Sequence, residues 1–431
     1  MTPSVGFAPQ ASDARLAASL FQEAARRSPD VAGISRPAFS AKETEILEWL
    51  RAEAEGMGLC TWYDAGQNLR MCLPEDAQAE RFVLVGSHVD SVPMGGNYDG
   101  LAGVLAGLIC LARARSRGER FARPVQVIAM RAEESAWFGP CYIASKALTG
   151  ALSAQECAAL HRGDHRPLGE HMRDFGIDMN RVQSGLPLID LDQVLGYVEL
   201  HIEQGPMLIG KGSPAAVVTG IRGNFRHRDV CCSGQAGHSG AVPRAFRRDP
   251  VMAMSDLLMR LDDAWASIIQ KGEDLVLTSG IVHTDAERNA MTRIADEVRF
   301  SLDIRSQSSD VLEGMQGLLS QEMAQIERER RVSFALDACH WTAPAMMDAG
   351  LVEDLSASMQ RIGLPVVRMA SGGGHDAAVF ANAGIPSAMV FVRNRNGSHN
   401  PDEAMEIDDF LSGVEIIYDM LKQSRSVGRG A

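Results

Sequence analysis

The chain has 431 residues, of which 45% are hydrophobic and 23% charged, and its formal net charge is −13. That length exceeds what one hydrophobic core usually serves, so two domains are expected, and the composition is that of an ordinary globular chain. An acidic balance without a basic stripe argues against nucleic acid as a partner, and the most apolar stretch, 101–114, is too short to cross a bilayer.

In chain order, apolar residues at helical spacing run over 14–25 and 43–57. A short strand, 81–86, ends at His88. A helix over 101–117 starts just after Asp99-Gly100, and a strand over 125–130 carries Glu133-Glu134 beyond its end. A third strand, 196–201, delivers His201. Strand, loop, helix, strand is an α/β pattern, and ligands of such sheets gather at the carboxyl ends of the strands. From about Val218 the character changes. Segments 229–233 and 297–304 alternate like half-buried strands, with amphipathic helices at 250–270 and 309–330 between and after them. This predicts an α+β insert that ends at 332–336. The α/β pattern resumes with a helix over 350–362, the glycine-rich turn 371–376, a strand over 387–392 and then Ser398-His399-Asn400-Pro401. The expected domains are 1–217 with 337–431, interrupted by 218–336. The tail 424–431 is expected to be disordered.

Eight cysteines contain no CxxC pair, and several sit in apolar runs. That usage suits buried thiols in a reducing compartment. The start has no basic n-region and no apolar h-region, so a cytoplasmic location is expected.

The chemistry concentrates in a few residues. A hydrolase with two metal ions needs two ligands private to each ion, a bridging carboxylate and a base. The chain offers His88, Asp99, Glu134, His201 and His399, each at a strand end or in the turn after it. Imidazole and carboxylate suit zinc, manganese, cobalt or nickel. Asp90 is close enough to His88 to orient it. Glu133 remains free as general base. His161, His165, His171, His227, His283 and His340 lack such context and are read as structural.

Four motifs carry a resemblance that spans nearly the whole chain. They are Gly86-Ser87-His88-Val89-Asp90 with Tyr98-Asp99-Gly100, the run Glu199-Leu200-His201-Ile202-Glu203-Gln204-Gly205-Pro206, Gly237-His238-Ser239-Gly240, and Gly374-His375-Asp376-Ala377. The chain resembles the metal-dependent aminoacylase/carboxypeptidase clan, and within it the hydantoinase/carbamoylase amidases. These include N-carbamoyl-L-amino-acid hydrolases, β-ureidopropionases and allantoate amidohydrolases. His201 points to this branch, because the peptidase branch usually has Asp or Glu there.

The resemblance implies a mixed-sheet di-metal catalytic domain with an inserted lid, and a homodimer formed through that lid. Asp99 would bridge two divalent ions, one completed by His88 and His201, the other by Glu134 and His399. Glu133 would be the base, supported by Asp90. The substrate would be a small molecule with a carboxylate, held by Gln204, His238, Thr292, Arg305 and His375. Arg305 would clamp the carboxylate, and His238 would polarise the scissile carbonyl, often from the partner subunit. The implied reaction is cleavage of a linear non-peptide C–N bond. An aminoacylase or dipeptidase is the alternative within the clan, and a metal-binding dimer without catalysis the alternative outside enzymes. Two departures stand out. Thr292 replaces a commonly substrate-contacting Asn, and Trp137 replaces the Arg of a Gly-Ser-Arg-Phe run, placing a bulky ring near the pocket mouth. These changes imply a substrate bulkier or less polar than a free ureido acid.

Overall fold

A computed structural model of the chain describes residues 10–423, so the tail at 424–431 lies outside the described residues. The chain divides into two compact units, Met1–Ile221 with Met346–Ala431, and Arg222–Ala345.

The first unit is built on a nine-stranded mixed sheet. Its strands are β1 (Cys60–Tyr63), β2 (Leu69–Cys72), β3 (Phe82–His88), β4 (Val125–Met130), β5 (Val194–Ile202), β6 (Ala215–Ile221), β7 (Ala345–Met346), β8 (Arg368–Ser371) and β9 (Ser387–Val392). Their order is β1-β2-β4-β3-β5-β9-β6-β7, with β8 beside β6. The central four, β4, β3, β5 and β9, run parallel to one another, and their outer neighbours β2 and β6 pair with them antiparallel. They are buried on both faces along their whole length, which is why they read as continuous apolar runs rather than alternating ones.

Helix Leu101–Arg117 packs on this sheet. Gly103 makes the close approach possible, because a Cβ there would come within 2.3 Å of the Leu200 carbonyl and 2.6 Å of the Ser87 Cβ. The helix N-terminus, and Asp99 just before it, are thereby held against the ends of β3 and β5. The helix expected at 43–57 spans Ala41–Gly56, capped by Ser40, whose side chain accepts the Glu43 N–H. Short elements at Cys60–Tyr63, Leu69–Cys72, Ile143–Thr149, Leu168–Asp174 and Met179–Gln183 carry too few residues to show a period.

The second unit has a six-stranded sheet. Its long strands, Gly223–Ser233 and Glu297–Ser306, pair antiparallel. Glu297–Ser306 buries every second residue, from Val298 to Ser306. Helices Pro250–Gln270 and Ser309–Arg330 cover that buried face, with Leu257, Leu261, Leu312 and Leu319 packed against Phe225, Phe300 and Ile304. The expected end of this unit at 332–336 needs correction. Ser333–Ala335 is a strand paired to Gly223–Ser233, and the chain then returns to pair the same strand again at His340–Thr342. The start also moves, since 218–221 belong to β6. No described helix is long and apolar enough to cross a membrane.

Candidate metal centre

Because β3, β4, β5 and β9 are parallel, their carboxyl ends share one edge of the sheet. His88 closes β3, His201 is next to last in β5, Glu133 and Glu134 follow β4, and His399 lies in the turn after β9. Asp99 sits among them. Its Oδ1 is 3.6 Å from His88 Nε2 and 3.0 Å from His201 Nε2. Its Oδ2 is 3.3 Å from His399 Nε2, which is also 3.3 Å from Glu134 Oε1. Asp99 therefore offers one oxygen to each of two ligand groups, His88 with His201 and Glu134 with His399.

The hydrogen bonds show that this donor set fits cations. His201 Nδ1 lies 3.0 Å from the Ile202 carbonyl, and His88 Nδ1 lies 3.1 Å from the Asp90 carbonyl. A carbonyl only accepts, so each Nδ1 carries the proton and each neutral ring turns a bare Nε2 toward Asp99. The Gly100 N–H, 3.3 Å away, donates to the same His201 Nε2. Two bare nitrogens facing one carboxylate oxygen in a buried site repel it unless a cation lies between them. Without a cation, protons take its place. Burial works against charge on His88, but Glu133, Asp90 and Asp99 outweigh it and hold the imidazole well above its usual range. Hydrogen bonds to Asp99 and Glu134 raise His399 to about 10. Burial alone would raise Asp99, yet the surrounding imidazoles hold it well below the carboxylate range.

The turn after β4 is tightly fixed. Asp90 accepts the Glu133 N–H at Oδ1 (2.9 Å) and the Glu134 N–H at Oδ2 (3.0 Å), and its Oδ1 is 3.4 Å from His88 Nδ1. One carboxylate thus orients the histidine and both glutamates. Ala132, in left-handed conformation at φ 52°, gives its N–H to Glu43 Oε1 (3.0 Å), while Glu43 Oε2 meets Arg131 at 2.6 Å. Glu133 Oε2 ends 3.9 Å from His88 Nε2. Burial first, and then the charges of Glu134, Asp376 and Asp90, push its carboxyl well above the usual range against the pull of His88. A carboxyl that holds a proton this readily beside two ligand groups is suited to proton transfer.

Most of the chain aligns with known proteins. The model of peptidase family M20/M25/M40 matches residues 84–423. An N-carbamoyl-L-amino acid amidohydrolase of Geobacillus stearothermophilus is 30% identical over 389 residues, 90% of this chain and 92% of that one. An allantoate amidohydrolase of Escherichia coli (strain K12) is 30% identical over 392 residues, 91% of this chain and 93% of that one.

The chain belongs to peptidase family M20/M25/M40.

That membership makes it a metal-dependent hydrolase of carbon–nitrogen bonds. A hydantoinase/carbamoylase-family amidase of Burkholderia multivorans shares the family fold with this chain at a TM-score of 0.82 and 27% identity, over 97% of this chain and 98% of that one.

The other expected residues of this family member lie as follows. Gln204 is at the centre itself, its Nε2 donating to Asp99 Oδ2 at 3.0 Å. His375 is buried, 2.9 Å from the Ser371 hydroxyl, with its ring 4.4 Å from that of His201. Burial, then the charges of His201 and His88, hold it well below its usual range, so it stays neutral. In the second unit, His238 is exposed on a short strand paired with Arg293–Ile294, and its Nδ1 accepts the N–H groups of Gly240 and Ala241. Thr292 gives its carbonyl to the Ser239 N–H at 3.0 Å, which ties it to the His238 turn. Arg305 pairs with Asp303 at 2.8 Å. Trp137 is anchored through its indole. Its Nε1 donates to the Ser91 carbonyl at 2.8 Å, which pins the ring to the turn after Asp90.

Two residues important to the centre carry no sequence signal. Glu403 accepts the N–H groups of Tyr98 (2.7 Å) and Asp99 (3.2 Å) and the Ser398 hydroxyl (2.8 Å), joining the Asp99 turn to the His399 turn. Ser398 also hydrogen-bonds Asp99 Oδ2. Glu43 reaches the centre only through the Ala132 turn, and its place in the first helical turn hides it among surface glutamates.

Proposed function

We propose that this chain is a dinuclear metal-dependent amidohydrolase that cleaves a linear, non-peptide C–N bond of an N-carbamoyl or related N-substituted amino acid. The convergence of His88, His201, Glu134 and His399 on the two oxygens of Asp99, with Glu133 beside them, carries this proposal. The relation to N-carbamoyl-L-amino acid and allantoate amidohydrolases over nine-tenths of the chain supports the substrate class.

Two divalent ions, zinc, manganese, cobalt or nickel, would supply polarisation of the scissile carbonyl and acidification of a water when bound. His88 and His201 would hold one, Glu134 and His399 the other, with Asp99 shared. Glu133 takes the proton of the attacking water and returns it to the leaving nitrogen. Asp90 keeps Glu133, Glu134 and His88 in register while this happens. Neutral His375 and Gln204 border the ligands and are placed to donate to a bound carbonyl or ureido group. Arg305 offers a planar fork for the substrate carboxylate, exchanging its bond to Asp303 for it. His238 is assigned to the scissile carbonyl, supplied across a homodimer formed through the Arg222–Ala345 unit. The cysteine usage fits a cytoplasmic location.

The test is ammonia and amine release from N-carbamoyl amino acids, N-acyl amino acids and dipeptides, before chelation, after it, and after metals are restored. Ammonia release from the N-carbamoyl class that disappears on chelation and returns with metal is the expected result. Turnover confined to dipeptides or N-acyl amino acids would contradict the substrate class.

A further inference from the structure

A second set of metal-type donors lies in the first unit, outside the centre around Asp99. The chain folds back on itself between Leu160 and Pro167, which form an isolated antiparallel bridge, and the His161 N–H donates to the Arg166 carbonyl at 2.9 Å. The turn so closed presents His161 and Asp164, and the following helix Leu168–Asp174 presents His171. His161 Nδ1 is 3.0 Å from Asp164 Oδ1, and His171 Nε2 is 3.2 Å from Asp164 Oδ2. All three donor atoms lie within 4.8 Å of one another.

Three details favour an ion over a plain hydrogen-bonded cluster. The Asp164 N–H points at His161 Nδ1 from 3.3 Å, which puts a lone pair on that nitrogen while it faces a carboxylate oxygen. The guanidinium groups on either side turn elsewhere, that of Arg166 to Glu170 (3.1 Å) and Asp174 (2.8 Å) and that of Arg162 over the Trp137 ring at 5.7 Å, while the Arg166 backbone N–H donates to Asp164 Oδ1 at 3.0 Å. The two rings are held in place by aromatic packing. Phe138 lies 4.9 Å from the His161 ring and 5.2 Å from the His171 ring, and Trp137 stacks on His161. The histidine side chains are mostly buried, at 19% and 12% exposure, while Asp164 is 45% exposed. One side of the set is therefore open to water, which would complete the coordination of an ion.

We propose that His161 Nδ1, His171 Nε2 and the Asp164 carboxylate form a separate binding site for one borderline divalent transition ion, zinc being the type. Two imidazoles and one carboxylate select such ions over magnesium or calcium. The bound ion clips the 160–167 turn to helix Leu168–Asp174. Through Trp137 and Phe138 it also stiffens the segment that follows Glu133-Glu134.

The test is the zinc content of the full-length protein after zinc loading and gel filtration, measured by mass spectrometry. The wild type is compared with Asp164→Asn and His171→Gln, and a Glu134→Gln variant with the same protein carrying Asp164→Asn in addition. Each change at Asp164 or His171 is expected to remove one zinc per chain from its parent, and in the wild-type background to leave hydrolysis intact. Equal zinc in the wild type and both single variants would overturn the proposal. The readout is a difference in bound metal between matched proteins, so it stands or falls separately from the proposed reaction. Asp164 is on the surface, and its Asn variant keeps the fold from confusing the result.

Discussion

Asp99 turns its two oxygens to different donor pairs, and it can do so only while its backbone is held. Glu403 provides that hold by accepting the Tyr98 and Asp99 N–H groups and the Ser398 hydroxyl. Burial, then repulsion from Asp99, raises its carboxyl to about 7, so it is poised close to neutrality. Glu403→Ala should weaken metal binding by roughly 10–100-fold, as losses behind metal ligands commonly do, and metal titration followed by calorimetry measures this. The candidate ligands that the fold gathers were legible because histidines and carboxylates stood in ordered motifs at strand ends. Glu403 was not, since a single Glu after Pro401-Asp402 has no spacing relation to the residues it serves. His161 and His171 were read as structural for the same reason, and only the fold brings them to Asp164.

At the scale of elements, two turns set the geometry. Gly100 adopts φ +67°, and a Cβ there would sit 2.4 Å from the His88 ring. Gly100→Ala should therefore both strain the turn and displace His88, costing about 1–3 kcal/mol for the backbone and most of the metal affinity. Thermal unfolding and metal content of the variant test both parts. The second turn depends on the buried Glu43–Arg131 pair, whose side chains are 0% and 3% exposed. Glu43→Ala leaves the buried Arg131 charge without its carboxylate, although the Gln67 carbonyl and Thr44 hydroxyl still accept from it, and leaves the Ala132 N–H without its acceptor, so a loss of about 3–5 kcal/mol is expected, read by chemical denaturation. The central strands were legible as apolar runs, and so were the ends that carry the candidate ligands. The Cys60–Tyr63 and Leu69–Cys72 strands and the short helices after Ile143 were not, because a period cannot be read from four to seven residues. The insert's end was placed too early because strand Ser333–Ala335 was taken as its close, whereas the exposed His340–Thr342 strand returns to the same sheet.

For the molecule as a whole, metal and stability are linked through the centre's protons. In the metal-free protein, His399 rises from its usual 6.5 to about 10, and His88 and His201 are also raised. A raised imidazole contributes stability that is full below its unfolded value and is lost as pH climbs through the folded one. Metal-stripped protein should thus lose thermal stability between pH 6.5 and about 10. An ion replaces those protons, so the stabilisation gained on adding zinc should grow over the same range. Thermal melts of stripped and zinc-loaded protein across that window check the sign. The measurement that bears most directly on the whole account is Glu133→Gln, assayed for both metal content and turnover of an N-carbamoyl amino acid. Unchanged metal with a loss of roughly 10²–10⁴-fold in kcat is the expected result for removal of a general base. Unchanged metal with undiminished turnover would contradict the assignment of Glu133, and with it the reaction built on this centre.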